Sequence, residues 1–429
     1  MKRFRRTFEV VVIFLAVLVC IQGALEWNGP RPYNCPGTPL HPGGACVTPL
    51  AFIELGLLLF AVFTALWLLW KDKELQEFFS LWKRQIAVLI FVGLAFLSVV
   101  WSVAPVLSTF RVLTLLLATF LAGYLGYRYS LRDFSGILAT CMGIMAALSL
   151  MAALLWPGQG TMTNIPYGGA WRGIFWHRNY LGTFMSMGGM VFLIRALSGK
   201  IKPTQRLINL AFYLLCLALV MLSRSATGIL SIAGLSVVVL LAFAWSKVAH
   251  RLSKRSLWII GGLFAAALLA LALNLDAIFN LLGRNATLTG RIPMWAHLVE
   301  VYVKPRIYVG YGYDAFWGFA QVRDEISAAV GWRYPVLIGD NGWMDVLLHL
   351  GVIGLASFMA VLGVMAVRMA KYALRERTIE AFLPIGVLLF ALVGNISLSL
   401  FIDPELFTWL VLIAILVLVT QKLDPVSKN

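Results

Sequence analysis

Residues 168–182 read GGAWRGIFWHRNYLG, which sets Arg172, His177, Arg178 and Asn179 among Trp171, Phe175 and Trp176. Two guanidinium groups and an imidazole suit an anion, because a guanidinium presents paired N–H donors that match two oxygens of a phosphate. Three more arginines stand beside apolar runs: Arg111 after WSVAPVLSTF, Arg224 within MLSRSATG, and Arg291 at the start of RIPMWAHLVEVYVK. An arginine inside an apolar run is costly in lipid and tends to mark function. Each has a plainer reading as well. Arg178 can be an interface anchor, Arg172 can pair with a carboxylate, Arg224 can hold a structural partner, and Arg291 can be a solvated helix start. His177 can be an interfacial hydrogen-bonding residue.

A second group lies further on. GYGYDAFW (310–317) is followed by IGDNGWMDVLLHLGVIG (338–354). Gly310 and Gly312 flank Tyr311 and permit a tight turn or a close backbone approach to a ligand. Asp340 is placed to be a general base or the N-cap of the next helix, and Asn341 follows it. Asp345 is a second carboxylate near the same helix start. His297 and His349 read as structural, as do Asp403 and Glu405 of the FIDPELF turn. A cluster of arginines at one membrane face, with aromatics, points to an anionic lipid head group such as a pyrophosphate.

Several chemistries lack their motifs. There is no phosphate-binding Walker loop, no dinucleotide fingerprint, no HExxH and no DxD-like carboxylate pair. ATP-driven work and metal-dependent transfer from nucleotide sugars are therefore disfavoured, and neither a metal site nor a cofactor is expected.

The elements that must position these residues follow from composition. The chain has 429 residues, 61% hydrophobic and only 13% charged, with mean hydropathy +0.86. Soluble domains carry about a quarter charged residues. The apolar runs are continuous and reach the roughly 20 residues that a helix needs to cross a bilayer. The pattern predicts an all-α polytopic membrane protein, a single integral membrane domain over 1–429. About twelve spans are expected, at roughly 8–25, 50–70, 86–103, 108–126, 134–156, 179–196, 207–223, 228–246, 257–275, 343–367, 379–400 and 406–421. The first follows MKRFRR and lacks a small-residue cleavage site, so it reads as a retained span.

Lys and Arg favour cytoplasmic loops. With the N-terminus inside, 24 of the 35 fall on the cytoplasmic side, and both termini are cytoplasmic. The net charge of +16 reflects these anchors rather than a nucleic-acid partner. Two external stretches are longer than a turn: 157–178, and 276–342 between spans nine and ten. In the second, Met294, Trp295, Leu298, Val299 and Tyr302 share a helical face, while Arg291, His297, Glu300 and Lys304 fall mostly elsewhere. This predicts an amphipathic helix at the membrane surface, roofing whatever the spans enclose. Cys35 and Cys46 share a Pro- and Gly-rich external loop. They are a disulfide in an oxidising compartment or two free thiols. Cys20, Cys141 and Cys216 lie in apolar runs as packing residues.

Taken in order, four blocks resemble the bacterial O-antigen ligases and the related O-antigen polymerases. They are WSVAPVLSTFR (101–111), WRGIFWHRNYLG (171–182), LSRSATG (222–228), and the closing GRIPMW…YVGYGYDAFW…DNGWMDVLLHLGVIG. The last departs from the family at one place: many relatives carry His directly before the Asn, where this chain has Asp340. The resemblance implies glycosyl transfer at the periplasmic face of a bacterial inner membrane, without metal or ATP. The donor is then an O-antigen glycan on undecaprenyl pyrophosphate and the acceptor a sugar hydroxyl of lipid A–core. It implies Arg172, Arg224 and Arg291 at the pyrophosphate, with Arg111, Arg178, Asn179, Tyr311, Gly312 and Asn341 as further substrate contacts. Asp340 or His177 is then the base. An O-antigen or exopolysaccharide polymerase shares these blocks and this donor. A transporter of anionic lipids is the alternative of another class, disfavoured because the charges gather at one face and the two halves do not match.

Overall fold

The computed structural model describes residues 49–163, 167–199, 201–248, 262, 291–332, 336–401 and 406–424. The expected span at 8–25, nearly all of the one at 257–275, the Cys35–Cys46 loop and the Asp403–Glu405 turn lie outside them. The helices are α1 (Pro49–Lys71), α2 (Leu75–Trp82), α3 (Ile86–Leu97), α4 (Pro105–Arg128), α5 (Leu131–Leu155), α6 (Arg178–Leu197), α7 (Pro203–Ser223) and α8 (Ala226–Val248). They continue with α9 (Arg291–His297), α10 (Ala320–Ala329), α11 (Gly342–Glu376), α12 (Leu383–Gly394) and α13 (Phe407–Leu423).

Among the described residues seven helices are long and apolar enough to cross a membrane: α1, α4, α5, α6, α7, α8 and α11. The expected span at 86–103 is part of a bent pair, in which α2 meets α3 and its 3-10 extension to Trp101 at 82°. Those at 379–400 and 406–421 are shorter apolar helices. The described residues fold as helices, and the chain is a multi-pass membrane protein.

Local chemistry sets several helix starts. Pro105 and Pro203 occupy first-turn positions, where a missing N–H costs nothing. Ser130 caps α5 by accepting from Asp133 N–H at 3.2 Å. The middle of the bundle is α6 and α13, which bury nearly all their side chains. α6 packs on α7 and α8, and α13 packs on α4 and α11. Close approach depends on glycine. A Cβ on Gly126 would lie 2.2 Å from the Ala414 carbonyl oxygen, and one on Gly228 would lie 2.7 Å from Gly182 Cα. Small residues let helix backbones touch where lipid supplies no hydrophobic drive. At the end of the bundle away from His177, Arg128 pairs with Asp72 at 2.9 Å and Glu74 at 3.0 Å. Arg368 there donates to Gln85, Thr420 and the Arg84 carbonyl.

The segment 291–340 makes a core of its own. Met294, Leu298, Val303, Phe316, Trp317, Ile326, Val336 and Leu348 are buried together. Met294 and Leu298 are both 0% exposed. The apolar face expected to lie on the membrane thus turns inward against protein. The helix also widens into π turns over Leu298–Val303.

α11 is broken at Gly351, whose φ of 65° and ψ of −166° are not helical. The chain 307–312 fills the break. Val352 and Ile353 N–H donate to the carbonyls of Ile307 and Tyr308, at 2.8 and 3.3 Å. Tyr311 and Gly312 N–H donate to the carbonyls of Leu348 and His349, both at 2.9 Å. Gly310 and Gly312 have positive φ, and a Cβ on either would strike the Leu348 carbonyl or Ser102 at 2.5 Å. The close approach read into this pair is made to α11 at Gly310 and to Ser102 at Gly312.

Gly351→Ala puts a side chain in a region of backbone space that only glycine occupies readily, and its Cβ would lie 2.3 Å from Tyr308. It is expected to cost roughly 1–3 kcal/mol from strain alone. Gly363→Ala, on the same helix with nothing within 4 Å, is expected to be neutral. Thermal unfolding of the two variants in detergent is the check.

Candidate functional site

The site forms at the end of the bundle where α6, α8 and α11 begin. His177 caps α6: its Nδ1 accepts the Asn179 N–H at 3.2 Å. Asn179 therefore contributes a backbone donor to the cap. Arg178 is buried, with its guanidinium 4.2 Å above the Tyr167 ring, and its Nη1 donates to the Arg224 carbonyl. That bond spans α6 and the α7–α8 corner, and the Gly182–Gly228 contact makes it reachable. Arg224 ends α7 in the left-handed region with φ of 51°. Its guanidinium is exposed and makes no ion pair among the described residues.

Arg172 is held by the opening stretch. Its Nε donates to the Gln159 carbonyl at 2.6 Å and its Nη1 to the Trp176 carbonyl at 3.2 Å. The stretch is itself stitched down. Trp171 N–H reaches the Leu222 carbonyl at 3.0 Å, and Arg172 and Gly173 N–H both reach the Gly160 carbonyl at 2.9 Å.

Arg291 closes the cluster from α9. Its Nε and Nη2 both lie 2.9 Å from Asp340 Oδ2. Asp340 Oδ1 makes no hydrogen bond or ion pair among the described residues. The cap of α11 is Asn341, whose Oδ1 accepts from Trp343 and Met344 N–H at 3.0 and 3.2 Å. The capping role considered for Asp340 thus falls to its neighbour, because Asp340 itself is left-handed, with φ of 48°. Arg172, Arg178 and Arg291 all stand close enough for their charges to act on His177. Burial first, then these three cations, push its imidazole down to about 3.

Other expected residues go elsewhere. Arg111 pairs with Asp314 at 2.9 Å, both largely shielded at 8% and 14% exposure. This buried pair pins the 310–318 turn to α4. Tyr311 donates its hydroxyl to the Tyr302 carbonyl at 3.0 Å and lies under Arg306. With Gly312 it serves the break in α11.

Sequence reasoning missed a supporting group. Asn395 Oδ1 accepts from Leu400 and Phe401 N–H at 2.8 and 3.0 Å, while Gly342 N–H reaches the carbonyls of Asn395 and Leu398 at 3.0 Å. Asp345 is buried and accepts from Trp317 Nε1 at 2.8 Å and from Ser399 Oγ. Polar residues in IGDNGWMD and GNISLSL, at the ends of apolar runs, were the available signal. Among the described residues no group of three or more His, Cys, Asp or Glu is placed to hold a metal.

A family profile described as O-Antigen ligase matches residues 211–359. The chain resembles the O-antigen ligase/polymerase superfamily. The superfamily match contains Arg224, Arg291, Asp340, Gly351 and Gly354, and the block holding Arg172, His177 and Arg178 precedes it. The chain is also 29% identical over 234 residues to the exopolysaccharide production protein ExoQ of Rhizobium meliloti (strain 1021). That alignment covers 51% of this chain and 50% of the relative, so the chain spans about half the length of the curated relative it matches.

Arg111→Ala removes the cation 2.9 Å from the shielded Asp314 and is expected to cost about 3 kcal/mol, partly recovered by adding Asp314→Ala, as thermal unfolding in detergent would read. Arg224→Ala, at an exposed guanidinium with no ion pair among the described residues, is expected to leave thermal unfolding unchanged. For pH, the unfolded chain protonates His177 near 6.5, but the folded chain resists until about 3. The residue therefore draws stability away as pH falls through that window. The melting temperature of wild type should drop more between pH 7.5 and 5 than that of His177→Asn.

Proposed function

We propose that the protein is a glycosyltransferase of the O-antigen ligase type. It moves a glycan from undecaprenyl pyrophosphate to a sugar hydroxyl of lipid A–core, at the periplasmic face of the inner membrane. The observation that carries this is the convergence of Arg172, Arg178 and Arg291 on His177, with Arg224 tied to Arg178 through its carbonyl. Arg172, Arg178 and Arg291 bring guanidinium groups to bear on one imidazole, and their paired N–H donors match the oxygens of a pyrophosphate.

The chemistry follows from the residues. The acceptor hydroxyl attacks the anomeric carbon. The bond from that carbon to the pyrophosphate oxygen breaks, and the electron pair leaves with the pyrophosphate. Arg172, Arg224 and Arg291 stabilise that growing charge. Asp340 takes the hydroxyl proton on Oδ1, while Oδ2 is held by Arg291. Direct attack inverts the anomeric centre. Arg178 is a positioning residue, fixing the α6 and α7 ends to each other.

The name of the 29% identical relative supports a second reading, in which the acceptor is another lipid-linked glycan and the product an exopolysaccharide. Purified protein, lipid-pyrophosphate-linked glycan and lipid A–core, incubated with EDTA and followed by gel shift, separates the two. Transfer to lipid A–core supports ligation, and lengthening of the donor glycan alone replaces it with polymerisation. Arg291→Ala and Arg224→Ala are expected to lower turnover by about a hundredfold or more. Asp340→Asn is expected to lose about 10² to 10⁴-fold. Retained activity in Asp340→Asn removes it as the base.

A further inference from the structure

A neutral imidazole carries one proton, on one of its two nitrogens. In His177 the cap decides which. Nδ1 accepts the Asn179 N–H, so it must be bare, and the proton sits on Nε2. Nε2 has no hydrogen-bond partner among the described residues, and the side chain is only half-buried. The groups facing it come from several elements. Arg178 is on its own helix, Arg172 is in the opening stretch and Arg291 is on α9. The Tyr167 ring meets it edge-on at 6.1 Å and the Trp176 ring lies at 5.4 Å.

We propose that His177 donates a hydrogen bond from Nε2–H to the anion and is not a base. This rests on the arginine–anion reading above. A base would have to receive a proton. Nε2 already has one, and a second on Nδ1 would break the cap of α6 while adding a fourth positive charge to the cluster. The depressed imidazole agrees with that. A neutral donor, by contrast, adds a hydrogen bond to the anion without adding repulsion when the site is empty. The ligand chemistry recognised is a diphosphate oxygen.

The tautomer is tested first, without any reaction. The full chain is labelled with ¹⁵N-histidine, and the His177 signals are assigned by their loss in His177→Asn. At pH 7.5 the spectrum should show a bare Nδ1 and a protonated Nε2. A proton on Nδ1, or a charged ring, overturns the proposal. Binding and turnover come next. Asparagine can cap with its oxygen and donate with its nitrogen, but it cannot act as a base. His177→Ala is expected to weaken donor binding by about ten- to a hundredfold, read mainly in KM, and His177→Asn to rescue most of that. If His177→Asn instead falls about 10² to 10⁴-fold in kcat with the acid limb of its pH profile gone, His177 is a base and the proposal fails. Inorganic pyrophosphate and a polyprenyl diphosphate are titrated separately. Loss in both places the contact at the shared anion, and loss with the lipid alone overturns it. If wild type binds neither, the anion reading of the site fails along with this role, although the tautomer result stands.

Discussion

A backbone amide or carbonyl in lipid has no water to fall back on, and this constraint governs the architecture around the site. α11 is broken at Gly351, so several of its polar groups lose their helical partners. The segment 307–312 supplies replacements by lying along the break and exchanging four hydrogen bonds with it. Because that segment is fixed, so are the turn that carries Asp314 and the small core under α9. Arg291 and Asp340, far apart along the chain on either side of that core, meet because it closes. The cluster of charge is thus supported by an arrangement of peptide groups that has no charge at all.

The second support is the absence of side chains. Gly182 and Gly228 let α6 and α8 touch. Arg178 then reaches across to the Arg224 carbonyl, and Arg224 points its own guanidinium outward. Two arginines in neighbouring blocks therefore have different tasks, one structural and one available to a ligand. The same division separates Arg111, closed off by Asp314, from Arg291, whose carboxylate partner is more open.

Much of this was legible in the chain before any coordinates. Continuous apolar runs identify membrane helices, since a period-3.6 element that is apolar all round has nowhere else to go. The expectation that Arg172, Arg178 and Arg291 meet an anion rests on residue type, and the structure brings the charges of all three to bear on His177. Register and partner choice were less readable. A cap was considered at Asp340, its neighbour Asn341 does the capping, and it is the left-handed backbone at 340 that separates them. The apolar face of 291–304 was visible, but its burial against Phe316 and Trp317 depends on contacts made by a later stretch of chain. The exchange between 307–312 and α11 leaves only glycines as its trace, and a glycine says that something approaches closely without naming it. Asn395 and Ser399 gave no periodic signal, because each acts through one hydrogen-bonded turn.

The position of the break also sets a depth. Beyond Gly351, α11 continues to Glu376, and at 1.5 Å per residue that stretch is about 37 Å long. It exceeds the roughly 30 Å thickness of bilayer hydrocarbon without any help from the residues before it. The turn from Gly342 to Leu350 is thus free to stand in the head-group layer, level with Trp101 and the outward-facing Tyr308, side chains at home in that layer. A lipid-borne phosphate rides at that same height. On the proposed reading, a lipid-linked donor need not be lifted out of the bilayer or drawn down into it to meet the arginines: lateral diffusion in two dimensions is sufficient to bring them together.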